Sequence, residues 1–166
     1  MHKHRTVLLV DDDESLRDSL DKIIERAGHT CFVAENGLQA LNMLRKREMH
    51  AIVADHDMPG MDGVELLKLV ATRHPNMARI LLTARSDSET VVRAINVGQA
   101  FRFLHKPCRT AELLTTLHFA FEASDREAEN WRLAAELRRQ TAMFAEVRHR
   151  CPGVLEEIEA RLSASV

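Results

Sequence analysis

The sequence predicts an α/β fold in which helices cover both faces of one parallel sheet. Within 166 residues, five short apolar runs alternate with stretches whose apolar residues recur at helical spacing. The first run is continuously apolar and rich in β-branched residues, which is typical of a strand buried on both faces. Strands that alternate with helices in this way form parallel sheets with right-handed crossovers. We therefore expect a doubly wound, five-stranded sheet.

The first strand and helix are predicted within residues 7–28. Residues 7–10 form the apolar run, and the acids Asp11, Asp12 and Asp13 follow it directly. The next apolar residues recur at helical spacing, either Asp13 or Ser15 can cap this helix, and Gly28 stops it. The sequence thus predicts a strand, an acidic turn and a helix.

The same unit recurs along the chain. The other predicted elements are strand 30–34, helix 37–47, strand 51–54, helix 64–73, strand 80–82, helix 86–97 closed by Gly98, strand 101–104 and helix 110–121.

The strand pattern ends before residue 109, and the rest of the chain is predicted to be helical. No Gly or Pro occurs between Pro107 and Pro152, so the helix that begins at 110 can continue to about His149. Apolar residues recur there at alternating spacings of three and four, with Gln140 as a polar member; they are Leu133, Leu137, Phe144, Val147 and Cys151. Two interpretations stay open: a coiled coil or helical hairpin, through which homodimers could form, or an amphipathic helix folded back on its own domain.

Composition argues against several classes of protein. A net charge of -2 gives no general attraction to nucleic acid or to an anionic membrane. Three cysteines without a CxxC pair argue against a disulfide framework and a zinc site, and they suit a reducing compartment. The first apolar run has four residues, too few for a signal peptide or an anchor. We expect a cytoplasmic protein without a membrane or direct nucleic-acid partner.

Ionisable and hydroxyl side chains follow four of the five predicted strands. Asp11 and Asp12 follow the first strand, Asp55 the third, Thr83 the fourth and Lys106 the fifth. Functional groups collect at the carboxyl ends of strands in open parallel sheets, so these side chains should share one edge. Carboxylates so close together repel, and a divalent cation relieves the repulsion. Oxygen ligands that leave room for water and a phosphoryl group favour Mg²⁺.

These residues resemble the receiver domain of bacterial two-component response regulators. The matching features are Val10-Asp11-Asp12, Asp55 with the loop 58–63 (MPGMDG), Thr83-Ala84 and Lys106-Pro107. The resemblance covers about residues 4–122. It implies a flavodoxin-like fold with strand order 2-1-3-4-5, a receiver domain at 1–122 and a helical extension at 123–166.

The resemblance also implies roles for the acidic residues. Asp55 would be the phosphoacceptor, attacking a phosphohistidine on a histidine kinase or histidine phosphotransferase. Asp12 and Asp55 would bind Mg²⁺ directly, together with the backbone carbonyl of Asp57. Asp11 would act mainly through a bound water.

Three further residues have implied roles in phosphoryl binding and switching. Thr83 and Lys106 would contact phosphoryl oxygens, and Phe103 occupies the aromatic switch position that turns inward as the threonine moves. The added charge would then change the surface formed by the fourth helix, fifth strand and fifth helix.

Plainer interpretations of the same residues exist. Asp11 to Asp13 could simply cap a helix, Thr83 could be an ordinary strand-end hydroxyl, Lys106 a solvated lysine, and Phe103 a core residue. Trp131 could be a packing anchor or an interface residue.

We also expect a contact between Asp57 and Arg85 to shield the acceptor.

The favoured function is a signalling module without catalytic turnover of a separate substrate. An alternative is the regulatory fragment of a larger enzyme, such as an HD-type phosphodiesterase response regulator, with its catalytic domain beyond residue 166. A DNA-binding regulator would need a helix-turn-helix, which residues 123–166 do not show.

Overall fold

Five parallel strands form one sheet in the order β2-β1-β3-β4-β5, as the resemblance implies. The structure is a computed structural model that describes residues 4–84, 102–150 and 153. The strands are β1 (Thr6–Val10), β2 (Thr30–Ala34), β3 (Ala51–Asp55), β4 (Ala78–Thr83) and β5 (Arg102–His105). The predicted fold class is confirmed.

Four helices accompany the sheet in the described residues. They are α1 (Glu14–Arg26), α2 (Gly37–Leu44), α3 (Gly63–Arg73) and a C-terminal helix (Thr110–Arg150). The C-terminal helix is continuous for 41 residues, which confirms the predicted long helical extension. The predicted helix 86–97 lies outside the described residues, as do Gly98 and Phe101.

The sheet has a separate apolar cluster on each face. On one face, the sheet packs against α2 and α3 through residues such as Leu44 and Leu67. On the other face, it packs against α1 and the first turns of the C-terminal helix, through residues such as Ile24 and Leu117. The central strand β3 is buried along its whole length, so its end has a fixed position between β1 and β4.

Two aspartates begin helices at the carboxyl edge of the sheet. Asp13 caps α1, because its Oδ1 accepts a hydrogen bond of 3.1 Å from the backbone nitrogen of Leu16. Asp62 caps α3 in a capping box, in which its carboxylate and that of Glu65 each accept from the other's backbone nitrogen. Both caps fix the loops that carry the acidic residues.

Contacts divide the chain into one unit at residues 1–126 and a second at residues 127–166. In the second unit, Trp131, Leu133, Leu137, Met143 and Phe144 are large apolar residues that are exposed. Among the described residues, no helix combines the length and apolar composition that a membrane span requires.

Candidate functional site

Asp55 ends the buried strand β3, and its side chain is almost enclosed. The residue is 4% exposed. Gly63, the first residue of α3, packs against the backbone carbonyl of Asp55, so closely that a Cβ at position 63 would overlap the carbonyl oxygen. The close approach requires glycine, and it holds the start of α3 directly against the end of β3.

Asp11 and Asp12 lie beside Asp55 at the end of β1. Each of the three residues places one carboxylate oxygen within 4.8 Å of a carboxylate oxygen of the other two. Asp11 is fully buried, whereas Asp12 is exposed. Asp13 supplies the cap of α1, and Asp11 and Asp12 instead lie next to Asp55.

Lys106 follows β5 and connects two of these carboxylates. Its Nζ lies 2.6 Å from Oδ2 of Asp11 and 2.8 Å from Oδ1 of Asp55. Its side chain is 19% exposed, so it is not a solvated surface lysine. The strand ends thus bring together the four charged residues predicted from their positions in the sequence.

Sharing one lysine between two acids shifts the pKa values at the site. Burial raises the pKa of Asp55, the nearby charge of Asp11 raises it further, and the contact with Lys106 offsets these effects only in part. Burial alone would lower the pKa of Lys106, but its contacts with Asp11 and Asp55 together raise it. Lys106 therefore stays charged at neutral pH, and negative charge on Asp55 is disfavoured.

Thr83 and Phe103 occupy the neighbouring strands. Thr83 ends β4, is fully buried and pairs in register with His105. The Phe103 side chain is 39% exposed and packs edge-on against His105, with ring centroids 5.5 Å apart. Phe103 is thus not a core residue, which removes the plainer interpretation of that position.

The donor set fits a hard divalent cation. Three carboxylates supply oxygens only, and one lysine does not neutralise three negative charges. Asp57 follows Asp55 by two residues, and its side chain is 54% exposed. Ligation by its backbone carbonyl stays a prediction. Arg85, its predicted partner, lies outside the described residues.

A cleft of about 830 Å³ opens beside Asp12. Loops that follow β2 and β3 border it, through residues such as Asn36 and Met61, and Arg17 of α1 also lines it. This opening gives solvent and ligands access to the exposed carboxylate of Asp12.

Sequence reasoning missed Arg17. Its Nη1 donates a hydrogen bond of 2.6 Å to the backbone carbonyl of Asp11. Its place one turn after the cap residue Asp13 was the available signal, but the sequence does not tell whether the side chain turns toward the strand end or toward solvent.

Comparison with known proteins identifies the domain type. The family model of the response regulator receiver domain matches residues 7–118. The chain is 43% identical over 101 residues to the DNA-binding transcriptional regulator NtrC of Escherichia coli (strain K12), a match that covers 61% of this chain and 21% of NtrC. It is 31% identical over 142 residues to the hydrogenase transcriptional regulatory protein HoxA of Cupriavidus necator, covering 86% of this chain and 29% of HoxA. The chain thus spans about a fifth to a third of these relatives.

Solved structures agree with this assignment. The signal receiver domain of an HD domain-containing protein from Pseudomonas fluorescens Pf-5 superposes with a TM-score of 0.71 at 33% identity, covering 75% of this chain and 99% of that chain. A CheY-like receiver domain protein from Methanospirillum hungatei JF-1 also gives 0.71, at 26% identity, with the same coverage of both chains. The chain belongs to the response regulator receiver domain family.

Proposed function

We propose that Asp55 accepts a phosphoryl group from a phosphohistidine on a histidine kinase or histidine phosphotransferase. The observation that carries this proposal is the contact of Lys106 with both Asp11 and Asp55, at the end of β3. A strand end is a rigid position for a nucleophile, and the lysine supplies positive charge where phosphoryl oxygens would develop negative charge.

The transfer exchanges one bond to phosphorus for another. An oxygen of the Asp55 carboxylate attacks phosphorus as the bond from phosphorus to the donor's imidazole nitrogen breaks, and the electron pair returns to the imidazole. Lys106 pairs with a phosphoryl oxygen of the resulting acyl phosphate, and the Thr83 hydroxyl donates to another. Because Asp55 must attack as the carboxylate, the influences that raise its pKa oppose the reaction until positive charge compensates them.

Mg²⁺ would supply part of that compensation, by neutralising negative charge on the carboxylates and on the phosphoryl group. Asp12 and Asp55 would hold it directly, the backbone carbonyl of Asp57 would complete the protein ligands, and Asp11 would act through a water. The number and type of these oxygen donors support this assignment.

Labelling of Asp55 tests the proposal. Incubation with acetyl phosphate and Mg²⁺ should add about one phosphoryl group per chain, and Asp55→Asn should remove the label because an amide is not a nucleophile here. Asp62→Asn is the matched control, since asparagine caps a helix as well as aspartate does and labelling should persist. Labelling of the Asp55→Asn protein to the wild-type stoichiometry would refute the assignment.

We further propose that Thr83 and Phe103 report the phosphorylation state. An acyl phosphate would draw the hydroxyl of Thr83 toward it, and the half-exposed ring of Phe103 would turn inward. The surface of the fourth helix, fifth strand and fifth helix would change as a result. Support comes from the exposure of Phe103 on β5, next to the strand that Thr83 ends.

A tryptophan probe at position 103 tests this switch. Trp131 is the chain's single tryptophan, so Phe103→Trp in a Trp131→Phe background gives one emitter. Beryllofluoride with Mg²⁺ should shift its emission to shorter wavelength, as the ring leaves water. An unchanged spectrum in a protein whose Asp55 is saturated would contradict the switch.

Output would pass from a receiver domain at 1–122 to a helical extension at 123–166. This extension would act in the cytoplasm, through a homodimer or a downstream domain, without direct contact with nucleic acid or membrane. The continuity of the C-terminal helix across residue 122 supports a mechanical connection. Free thiols at Cys31 and Cys108 suit a reducing compartment.

A second candidate is the regulatory part of an HD-type phosphodiesterase. The observation that favours it is the likeness to the receiver of an HD domain-containing protein. Sequencing the gene beyond the codon for Val166 separates the candidates, because the enzyme requires a downstream metal-binding HD motif, whereas the signalling module does not.

A further inference from the structure

Arg17 of α1 reaches back to the end of β1. Its Nη1 lies 2.6 Å from the carbonyl oxygen of Asp11, and its side chain is half-buried at the edge of the cleft beside Asp12. A charge-assisted hydrogen bond of this length is among the stronger polar contacts that a side chain makes.

The accepting carbonyl belongs to the peptide group that joins Asp11 to Asp12. On one side of this peptide, the backbone nitrogen of Asp11 donates to Ala34 of β2. On the other side, the backbone nitrogen of Asp13 donates 2.9 Å to Oδ1 of Asp11. Arg17 holds the peptide between these two contacts, so it sets the plane from which the exposed residue Asp12 projects.

We infer that Arg17 is a positioning residue that orients the Asp12 carboxylate for Mg²⁺. The inference rests on the proposed function, because it assumes that the acidic cluster holds the cation. Asp11 is fixed by Lys106 and by the turn, and Asp55 by burial, whereas Asp12 is exposed and depends more on its backbone.

The direction in which Mg²⁺ affinity changes when Arg17 is removed distinguishes a positioning role from a purely electrostatic one. Arg17 is a cation close to the cluster, so if it acted only through its charge it would repel Mg²⁺, and its removal would tighten binding. If it orients a ligand, its removal loosens binding, as the loss of outer contacts to metal ligands usually does, by about tenfold or more.

The test compares Arg17→Met, Arg17→Lys and the control Arg26→Met. Methionine keeps an unbranched stem without the charge or the donor, lysine keeps the charge without the guanidinium, and Arg26 is an exposed arginine in the last turn of the same helix. Mg²⁺ dissociation constants would be measured by amide NMR titration at constant ionic strength, and the amide shift of Asp12 would also be recorded in EDTA.

We expect Arg17→Met to raise the dissociation constant about tenfold, Arg17→Lys to give an intermediate value and Arg26→Met to match wild type. The Asp12 amide should shift in EDTA for Arg17→Met, shift less for Arg17→Lys and stay at its wild-type position for Arg26→Met. An unchanged or lower dissociation constant for Arg17→Met would overturn the inference while leaving the proposed function intact. Wild-type protein that neither binds Mg²⁺ nor labels on Asp55 would instead overturn the proposed function. If Arg17→Met does not fold, Arg17→Lys decides: a wild-type constant overturns the inference and a raised one supports it.

Discussion

Lys106 is one positive charge that contacts two buried carboxylates, and this imbalance sets the electrostatics of the site. Asp11 and Asp55 both lie within 2.8 Å of its Nζ, and Asp12 adds a third acid nearby. A folded protein without Mg²⁺ therefore retains repulsion that unfolding relieves. Stability and cation binding should be coupled through these residues.

Asp55→Asn should stabilise the Mg²⁺-free protein at neutral pH. The folded-state pKa of Asp55 is raised, so the folded state binds more protons than the unfolded state between the two pKa values. Wild-type stability thus falls as pH rises from about 4 through the folded pKa. Urea unfolding in EDTA should show a mutant advantage that grows over this window, because burial and the nearby charge of Asp11 both disfavour the ionised form of Asp55.

The pH dependence of the stability difference between Asp55→Asn and wild type can contradict this prediction. A difference that is constant between pH 4 and pH 8 would mean that the Asp55 charge costs nothing in the folded state. Asp57→Asn is the control, because that side chain is more than half exposed, and its stability should follow wild type at every pH.

Single residues at the site were predictable to the extent that chain position determines them. Asp11, Asp55 and Lys106 each follow a strand, and parallel strands end at one edge, so their proximity follows from topology. The direction of a long side chain does not follow from topology. That is why the contact of Arg17 with the Asp11 carbonyl was found only in the structure.

The helices and strands were predictable in type and order, but their ends were less so. Strand β4 runs from Ala78 to Thr83, longer than the predicted 80–82. Its early residues include Arg79, a buried arginine that the sequence pattern does not assign to a strand. Arg79 is tolerated there because its guanidinium donates to backbone carbonyls, including those of Pro75 and Met77. A charged residue in a sequence gives no sign of such compensation, so the predicted strand was too short.

The predicted second helix was too long. Helix α2 ends at Leu44 instead of residue 47. Beyond its end, the guanidinium of Arg47 lies over the ring of Phe32, 4.7 Å from the centroid. Helical periodicity does not show that a residue beyond the helix, such as Arg47, will contact a side chain of strand β2.

Gly63→Ala should disturb the junction of β3 and α3, and its effect should exceed that of Gly37→Ala at the start of α2. A Cβ at position 63 would overlap the backbone carbonyl of Asp55, and a backbone group can move only if α3 or β3 moves. We expect a loss of ~1–3 kcal/mol, the usual cost of overpacking, and slower labelling of Asp55. Urea unfolding and acetyl phosphate labelling measure the two effects.

Gly37→Ala is the matched control at the start of α2. Its added Cβ would approach Sδ of Met61, the far end of a flexible side chain, at 2.7 Å, and methionine adapts to such changes. Stability and labelling should both stay near wild type. Equal losses for the two variants would show that glycine matters there for helix initiation and not for the approach to Asp55.

At the scale of the whole molecule, side-chain contacts within the first unit hold the first turns of the C-terminal helix in place. Arg5, just before β1, forms an ion pair with Asp125, and its guanidinium lies 5.5 Å from the ring centroid of Phe121. The hydroxyl of Ser124 donates to the carbonyl of Asn76. These contacts anchor the helix up to the boundary of the first unit at residue 126.

Beyond that boundary, apolar residues are exposed in a way that predicts self-association. Leu133 and Leu137 are 52% and 64% exposed, and Met143 and Phe144 are 61% and 57% exposed. Exposed apolar clusters of this kind usually mark interaction sites. Leu133, Leu137 and Phe144 recur at the spacing of a coiled-coil seam, which pairs with a second helix of the same kind. We therefore predict that the partner is a second copy of this chain.

The 166-residue chain should therefore approach twice its monomer mass as concentration rises, measured by light scattering after size-exclusion chromatography. Leu137→Glu should return it to the monomer, because a buried charge opposes a coiled-coil seam. Ala142→Glu adds the same charge at an exposed residue outside that seam and should leave the mass unchanged. Beryllofluoride with Mg²⁺ should shift the dimerisation constant if the acceptor controls this helix. A monomer at every concentration, with and without beryllofluoride, would contradict an interface between copies and favour the other interpretation, a helix folded back on its own domain.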